Sequence, residues 1–214
     1  MKSVVAIVLS AALTASFFTW KHAKGDGLAP RSDRYPYDKE FSSRLVKAAL
    51  ERTEHNVTYD GSYIKIAYPG GDVPDNIGVC SDVVIRAYRE LGIDLQKEVH
   101  EDMQANFDDY PKNWGLITTD TNIDHRRVPN LRVFFQRFGS ELPVSRSPDA
   151  YLPGDLVTWT VQGNLPHIGI VSDSKTFFGK RPLIVHNIGR GPVLEDMLFE
   201  YLITGHYRYY GQSP

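Results

Sequence analysis

The hydrophobic periodicity of this chain changes at Leu142, and that change limits the architectures open to it. Ahead of it, apolar residues recur three and four apart, as on one face of a helix. Phe41, Leu45, Ala48 and Ala49 do so within 38–55, and Leu131, Phe134, Phe135 and Phe138 within 130–138. Val83, Val84, Ala87, Tyr88 and Leu91 do so after Cys80, with Gly92 as a fitting stop. A shorter helical stretch follows Asp94 and runs to Met103. Beyond Leu142 the segments 156–161, 167–171, 183–188 and 206–210 are rich in strand formers. Gly163-Asn164 and Gly189-Arg190-Gly191-Pro192 punctuate them, and 196–202 reads as a short helical turn. Helices first and strands afterwards predict an α+β domain, with N-terminal helices packed on a C-terminal antiparallel sheet.

Residues 1–20 carry Lys2 and then an apolar run over 4–18. That run is short for a spanning helix and reads as a secretory signal or an uncleaved N-terminal anchor. Residues 21–37 are polar and hold Gly25, Gly27, Pro30 and Pro36, as a linker does. Residues 38–214 then suffice for one domain with a sizeable core. The net charge is −2 and no basic stripe with interleaved aromatics is present, which argues against nucleic acid as a partner.

Cys80 is the only cysteine among the 214 residues. Export leads to an oxidising compartment, where structural cysteines pair, and a single cysteine has no partner in its own chain. The loop 68–79 is rich in Gly, Pro, Asp and Asn, so Cys80 is expected in the first turn of a buried helix. Helix N-terminal N–H groups favour a thiolate and predict a lowered pKa. The same residue also fits a small buried hydrophobe.

Cysteine hydrolases need an imidazole near the thiol and a polar group to orient that imidazole. Of the seven histidines, His22 lies in the linker, His55 and His100 at helical positions expected to be exposed, and His125 in a loop. His167 and His186 lie on successive strands, which can set such side chains next to each other on one face. Arg126 and Arg127, just before the 130–138 helix, offer planar forks of donors to a substrate carboxylate, or form a solvated helix entry.

Four segments, in order, resemble the NlpC-type cysteine peptidases of bacterial cell walls, a circularly rearranged relative of the papain-like fold. Tyr68 with Gly70-Gly71 is similar to that family's Tyr-x-Gly-Gly, and Val79-Cys80-Ser81-Asp82 to its Asp-Cys-Ser-Gly. Leu152-Pro153-Gly154-Asp155-Leu156-Val157 resembles its Leu-x-Pro-Gly-Asp-Leu, and His167-Ile168-Gly169-Ile170 its His-Val-Gly-Ile. Val79 and Asp82 replace the family's Asp and Gly, and the interval from His167 to His186 is longer than usual, which marks a divergent branch.

The resemblance implies a papain-like NlpC-type fold over 38–210, with Cys80 as nucleophile, His167 as base and His186 as orienting residue; Asn187 is the alternative for the third role. Tyr68 is expected beside the nucleophile, and Asp82, Arg126 and Arg127 around the substrate. The backbone N–H of Cys80 is expected to help form an oxyanion hole. The activity implied is hydrolysis of an amide bond in peptidoglycan stem peptides through a thioester. The protein is expected to act as a monomer in the periplasm or cell envelope, with no cofactor. The membrane enters only through the anchor. A non-catalytic wall-binding protein of the same fold and an acyltransferase with the same triad are the other readings. A zinc site at Cys80, His167 and His186 suits the ligand types but lacks a His-Glu-x-x-His or Cys-x-x-Cys spacing.

Overall fold

The structure, a computed structural model, describes residues 36–212. The signal or anchor expected at 1–20, and the expected linker up to residue 35, lie outside the described residues. The first helix, α1 (Lys39–Glu51), starts where the Asp38 carboxylate accepts the Phe41 N–H at 3.0 Å, and it buries Leu45, Val46, Ala48 and Ala49. It stops at Glu51, short of the 38–55 span expected, and a 3-10 turn at Arg52–Glu54 follows. Two short parallel strands come next, β1 (Thr58–Tyr59) on β2 (Ile77–Gly78). They lead directly into α2 (Cys80–Arg89), the central helix, whose residues Cys80 to Tyr88 are all buried.

The loop between β1 and β2 is tied down by polar contacts from the helices. Asp72 accepts hydrogen bonds from Arg86 at 2.9 Å and Arg89 at 2.6 Å. Helix α3 (Leu95–Ala105) is capped by Asp94, which also accepts the Gly70 N–H at 2.7 Å, while the Gln96 side chain accepts the Gly71 N–H at 2.8 Å. A Cβ on Gly71 would stand 1.9 Å from the Ala67 carbonyl oxygen, so this bend requires a glycine. Helix α4 (Val128–Phe138) has Pro129 in its first turn and buries Leu131, Phe134 and Phe135.

The remaining strands are β3 (Ser140–Glu141), β4 (Leu156–Val161), β5 (Leu165–Lys175), β6 (Pro182–His186), β7 (Val193–Glu195) and β8 (Leu202–Arg208). They form one antiparallel sheet in the order β3-β8-β4-β5-β6-β7. Leu156, Ile168, Ile170, Val185 and Tyr207 pack with the helices in the main core. The alternate residues Val157, Trp159, Val171 and Ile184 form a second core with Tyr151, Met197 and Leu198. Residues 196–201 are turns and bends rather than the helical turn expected, and they set Leu198 against the sheet, where its carbonyl accepts the Trp159 indole N–H at 3.0 Å.

The chain is therefore α+β, with helices on one face of an antiparallel sheet. Asp155 pins the sheet where β4 begins. It is fully buried, accepts the Leu152 N–H at 2.9 Å and the Arg208 Nε–H at 2.8 Å, and lies 2.8 Å from His206 Nε2. No helix among the described residues is long and apolar enough to cross a membrane.

Candidate active site

Cys80 opens α2, and its surroundings are rigid for identifiable reasons. The Asp82 carboxylate accepts the Val79 N–H at 2.7 Å, closing the first turn of the helix. The same carboxylate receives Arg126 Nε and Nη2, each at 2.9 Å, in a buried two-point ion pair. Ser81 donates to the Arg126 carbonyl at 2.8 Å. Helix α2 and the segment ahead of α4 are thus tied to each other by three hydrogen bonds. Asp82, expected around the substrate, is buried in this clamp. Arg126 borders the Cys80 cleft, but its fork is committed to Asp82.

The thiol itself is buried in the main core with Ile168, and the backbone N–H groups of Ile168, Ser81 and Cys80 itself act on it to favour its charged form. The helix-start donors do lower its pKa, as expected, but burial outweighs them. The thiol is pushed up to about 11, so it is neutral near pH 7. The expectation of a lowered pKa is corrected on this point.

His167 lies opposite Trp159 in the β4–β5 ladder, and its ring is 5.9 Å from the indole. Its Nε2 is 3.1 Å from His186 Nδ1, with the two rings perpendicular. The register pairs Ile170 with Val185, so the residue facing His186 is Gly169. A Cβ there would stand 2.7 Å from Ile184 Cγ2, 3.0 Å from the Val185 oxygen and 3.1 Å from His186 Cβ. The glycine makes the room in which the two imidazoles meet. Asn187 turns the other way, donating to the Gly78 carbonyl at 3.4 Å and accepting from the Gly189 N–H. Of that pair, His186 is the residue in contact with His167.

Burial, and then the nearby His186, push the His167 imidazole down to about 3. Burial also lowers His186, against a raising influence from Glu195. Both rings are therefore neutral near pH 7. The thiol meets β5 at the peptide between His167 and Ile168, and the imidazole of His167 bonds to His186. The site is thus a buried, uncharged thiol packed with Ile168 of β5, the residue that follows His167, whose own uncharged ring is bonded to an uncharged His186.

A cleft of about 200 Å³ opens over Cys80, walled by Tyr59, Gly61, Ile123, Arg127 and Pro166. Ile123 and Arg127 are shared with a wider basin of about 640 Å³ that includes Tyr63, His100 and Asp120. Arg127 therefore stands between the two, where an extended ligand would pass. Tyr59 is the aromatic residue at the thiol. Burial, then Cys80 and Asp82, raise its phenol to about 12, so it stays a donor. Tyr68, expected there, instead lies against His100 at a ring distance of 5.1 Å. His100 is buried rather than exposed, with Nδ1 2.9 Å from Asp124.

Sequence reasoning also passed over Glu195, whose Oε2 approaches His186 Nε2 at 3.5 Å. The three-residue strand that carries it gives little periodicity to read. Among the described residues no group of three or more His, Cys, Asp or Glu side chains is arranged to hold a metal ion.

A family model described as "Domain of unknown function (DUF1287)" matches residues 46–209, which include Cys80, His167 and His186. The "Uncharacterized protein YijF" of Escherichia coli (strain K12) is 49% identical over 166 residues, covering 78% of this chain and 80% of that protein.

Proposed function

The chain belongs to the DUF1287 family, and we propose that it is an exported cysteine hydrolase with a papain-like, NlpC-type fold, cleaving an amide bond in peptidoglycan stem peptides. One observation carries this reading: a lone thiol at the start of a helix, in a cleft, is held against the peptide that follows a histidine, and that histidine is bonded to a second one.

The steps follow from the roles of these groups. Substrate entering the cleft displaces water, and the thiol turns from the Ile168 N–H to Nδ1 of His167. Sγ attacks the carbonyl carbon as its proton passes to Nδ1, and the oxyanion faces the Cys80 N–H and the Tyr59 hydroxyl. His167 returns the proton to the departing amine, leaving a thioester on Cys80. Water, deprotonated by His167, then cleaves the thioester and restores the thiol. Arg127, between the two basins, is placed to meet a carboxylate of the substrate.

The test is incubation of the purified protein with muropeptides, followed by mass spectrometry. Two fragments whose masses sum to substrate plus water are expected, and none with Cys80→Ala. That variant should lose about 1 kcal/mol of stability or less, since few atoms are removed. Full turnover by Cys80→Ala, or intact muropeptides after prolonged incubation with folded wild type, would end the hydrolase reading. A second reading, peptide binding without turnover, draws on the buried, neutral thiol. It is the reading left standing if muropeptides bind the cleft and emerge unchanged.

A further inference from the structure

Resting on that reading, we propose that Glu195 is a positioning residue, a fourth member that completes the relay by accepting the Nε2–H of His186. The inference comes from counting protons on the two rings. A neutral imidazole has one donor nitrogen and one acceptor nitrogen. His167 has committed Nε2 to His186 Nδ1 at 3.1 Å, so its other nitrogen, Nδ1, is the one left for the thiol proton. To accept that proton Nδ1 must hold a lone pair, so the hydrogen of His167 lies on Nε2. It is donated to His186 Nδ1, and His186 must then carry its own hydrogen on Nε2.

That Nε2 is buried and has no hydrogen bond, and a buried donor left unpaired is costly. The carboxylate of Glu195 is 3.5 Å away, on β7, the strand paired with β6. Glu195 is half exposed, so its side chain has freedom to close the gap. It lines a separate cleft of about 380 Å³ together with Gln162, Ile188 and Arg190. The charged and titratable groups facing His186 are therefore His167 from β5 and Glu195 from β7, with Arg190 in the same cleft as Glu195. When His167 takes the thiol proton, a positive charge appears in a buried pair of rings. His186 is neutral and cannot balance it. Glu195 supplies the missing negative charge one ring further back.

The experiment pairs kinetics with a readout independent of turnover. Nitrogen-15 NMR of the imidazoles should show His186 as the Nε2–H tautomer in wild type and a mixture in Glu195→Ala. In the same variant kcat should fall about tenfold to a hundredfold, the size seen for carboxylates behind metal-bound histidines, with KM unchanged. Glu195→Gln keeps an acceptor but loses the charge, so it should keep the tautomer and recover only part of kcat. An Nδ1–H tautomer of His186 in wild type would overturn the proposal. So would unchanged tautomer and unchanged kcat in Glu195→Ala while Cys80→Ala is inactive. Failure of the hydrolase reading looks different: wild type is inert, and the tautomer still decides the place of Glu195.

Discussion

Two opposing influences meet at Cys80, and magnitude decides between them. Its position at a helix start was legible, because a Gly/Pro/Asp loop followed by an apolar-periodic run announces a helix N-terminus. Its charge was not legible, because burial comes from strand β5, some ninety residues on in the chain. With the thiol pushed up to about 11, alkylation at pH 7.5 should be roughly three-hundredfold slower than for a free thiol titrating near 8.5, from the thiolate fractions alone. Its rate should keep rising beyond pH 9. In His167→Ala the profile should hardly move, since the main cause is burial. Rapid alkylation below pH 8 would contradict this account.

At the scale of elements, the pairing of α2 with the segment ahead of α4 rests on Asp82 and Arg126. Asp82→Ala would strand a buried guanidinium and free the Val79 N–H, for an expected loss of about 3–5 kcal/mol in denaturant unfolding. An Asp82→Ala, Arg126→Met double variant should regain much of that loss. Sequence alone offered both residues as substrate contacts, because a charged side chain in a loop or first turn gives no sign of its partner 44 positions away. Strand residues were easier to read. Alternation placed His167 and His186 on one face, and the register then put Gly169 opposite His186. Gly169→Ala should cost about 1–3 kcal/mol through overpacking, and in an activity assay should lower turnover further by pushing His186 off His167.

Over the whole molecule, the order of helices and strands was legible from periodicity, whereas the second core was not. Met197 and Leu198 lie in turns, where no period exists, yet they cover the outer face of the sheet. That cover explains why β4 reads as an almost unbroken apolar run: both of its faces are inside. Global stability should also carry the mark of buried histidines. His125 and His167 are both pushed down to about 3, chiefly by burial, from an unfolded value near about 6.5. The unfolded chain therefore binds protons that the folded chain refuses. Their contribution is complete above about pH 6.5 and is lost as pH falls towards 3. Denaturant midpoints measured across that range should fall, and His125→Gln should flatten the fall if it folds. A midpoint independent of pH from 7 to 4 would show that these rings are not held neutral.

The neutral thiol has one more consequence. Peroxides and disulfides react with a thiolate, and a sulfur that keeps its proton is oxidised slowly. An unpaired cysteine delivered to an oxidising compartment would ordinarily be lost to sulfenic acid or to a mixed disulfide with a passing protein. Burial against β5 withholds the charge that those reactions need, so wherever this sulfur meets an oxidant it keeps its proton and reacts slowly.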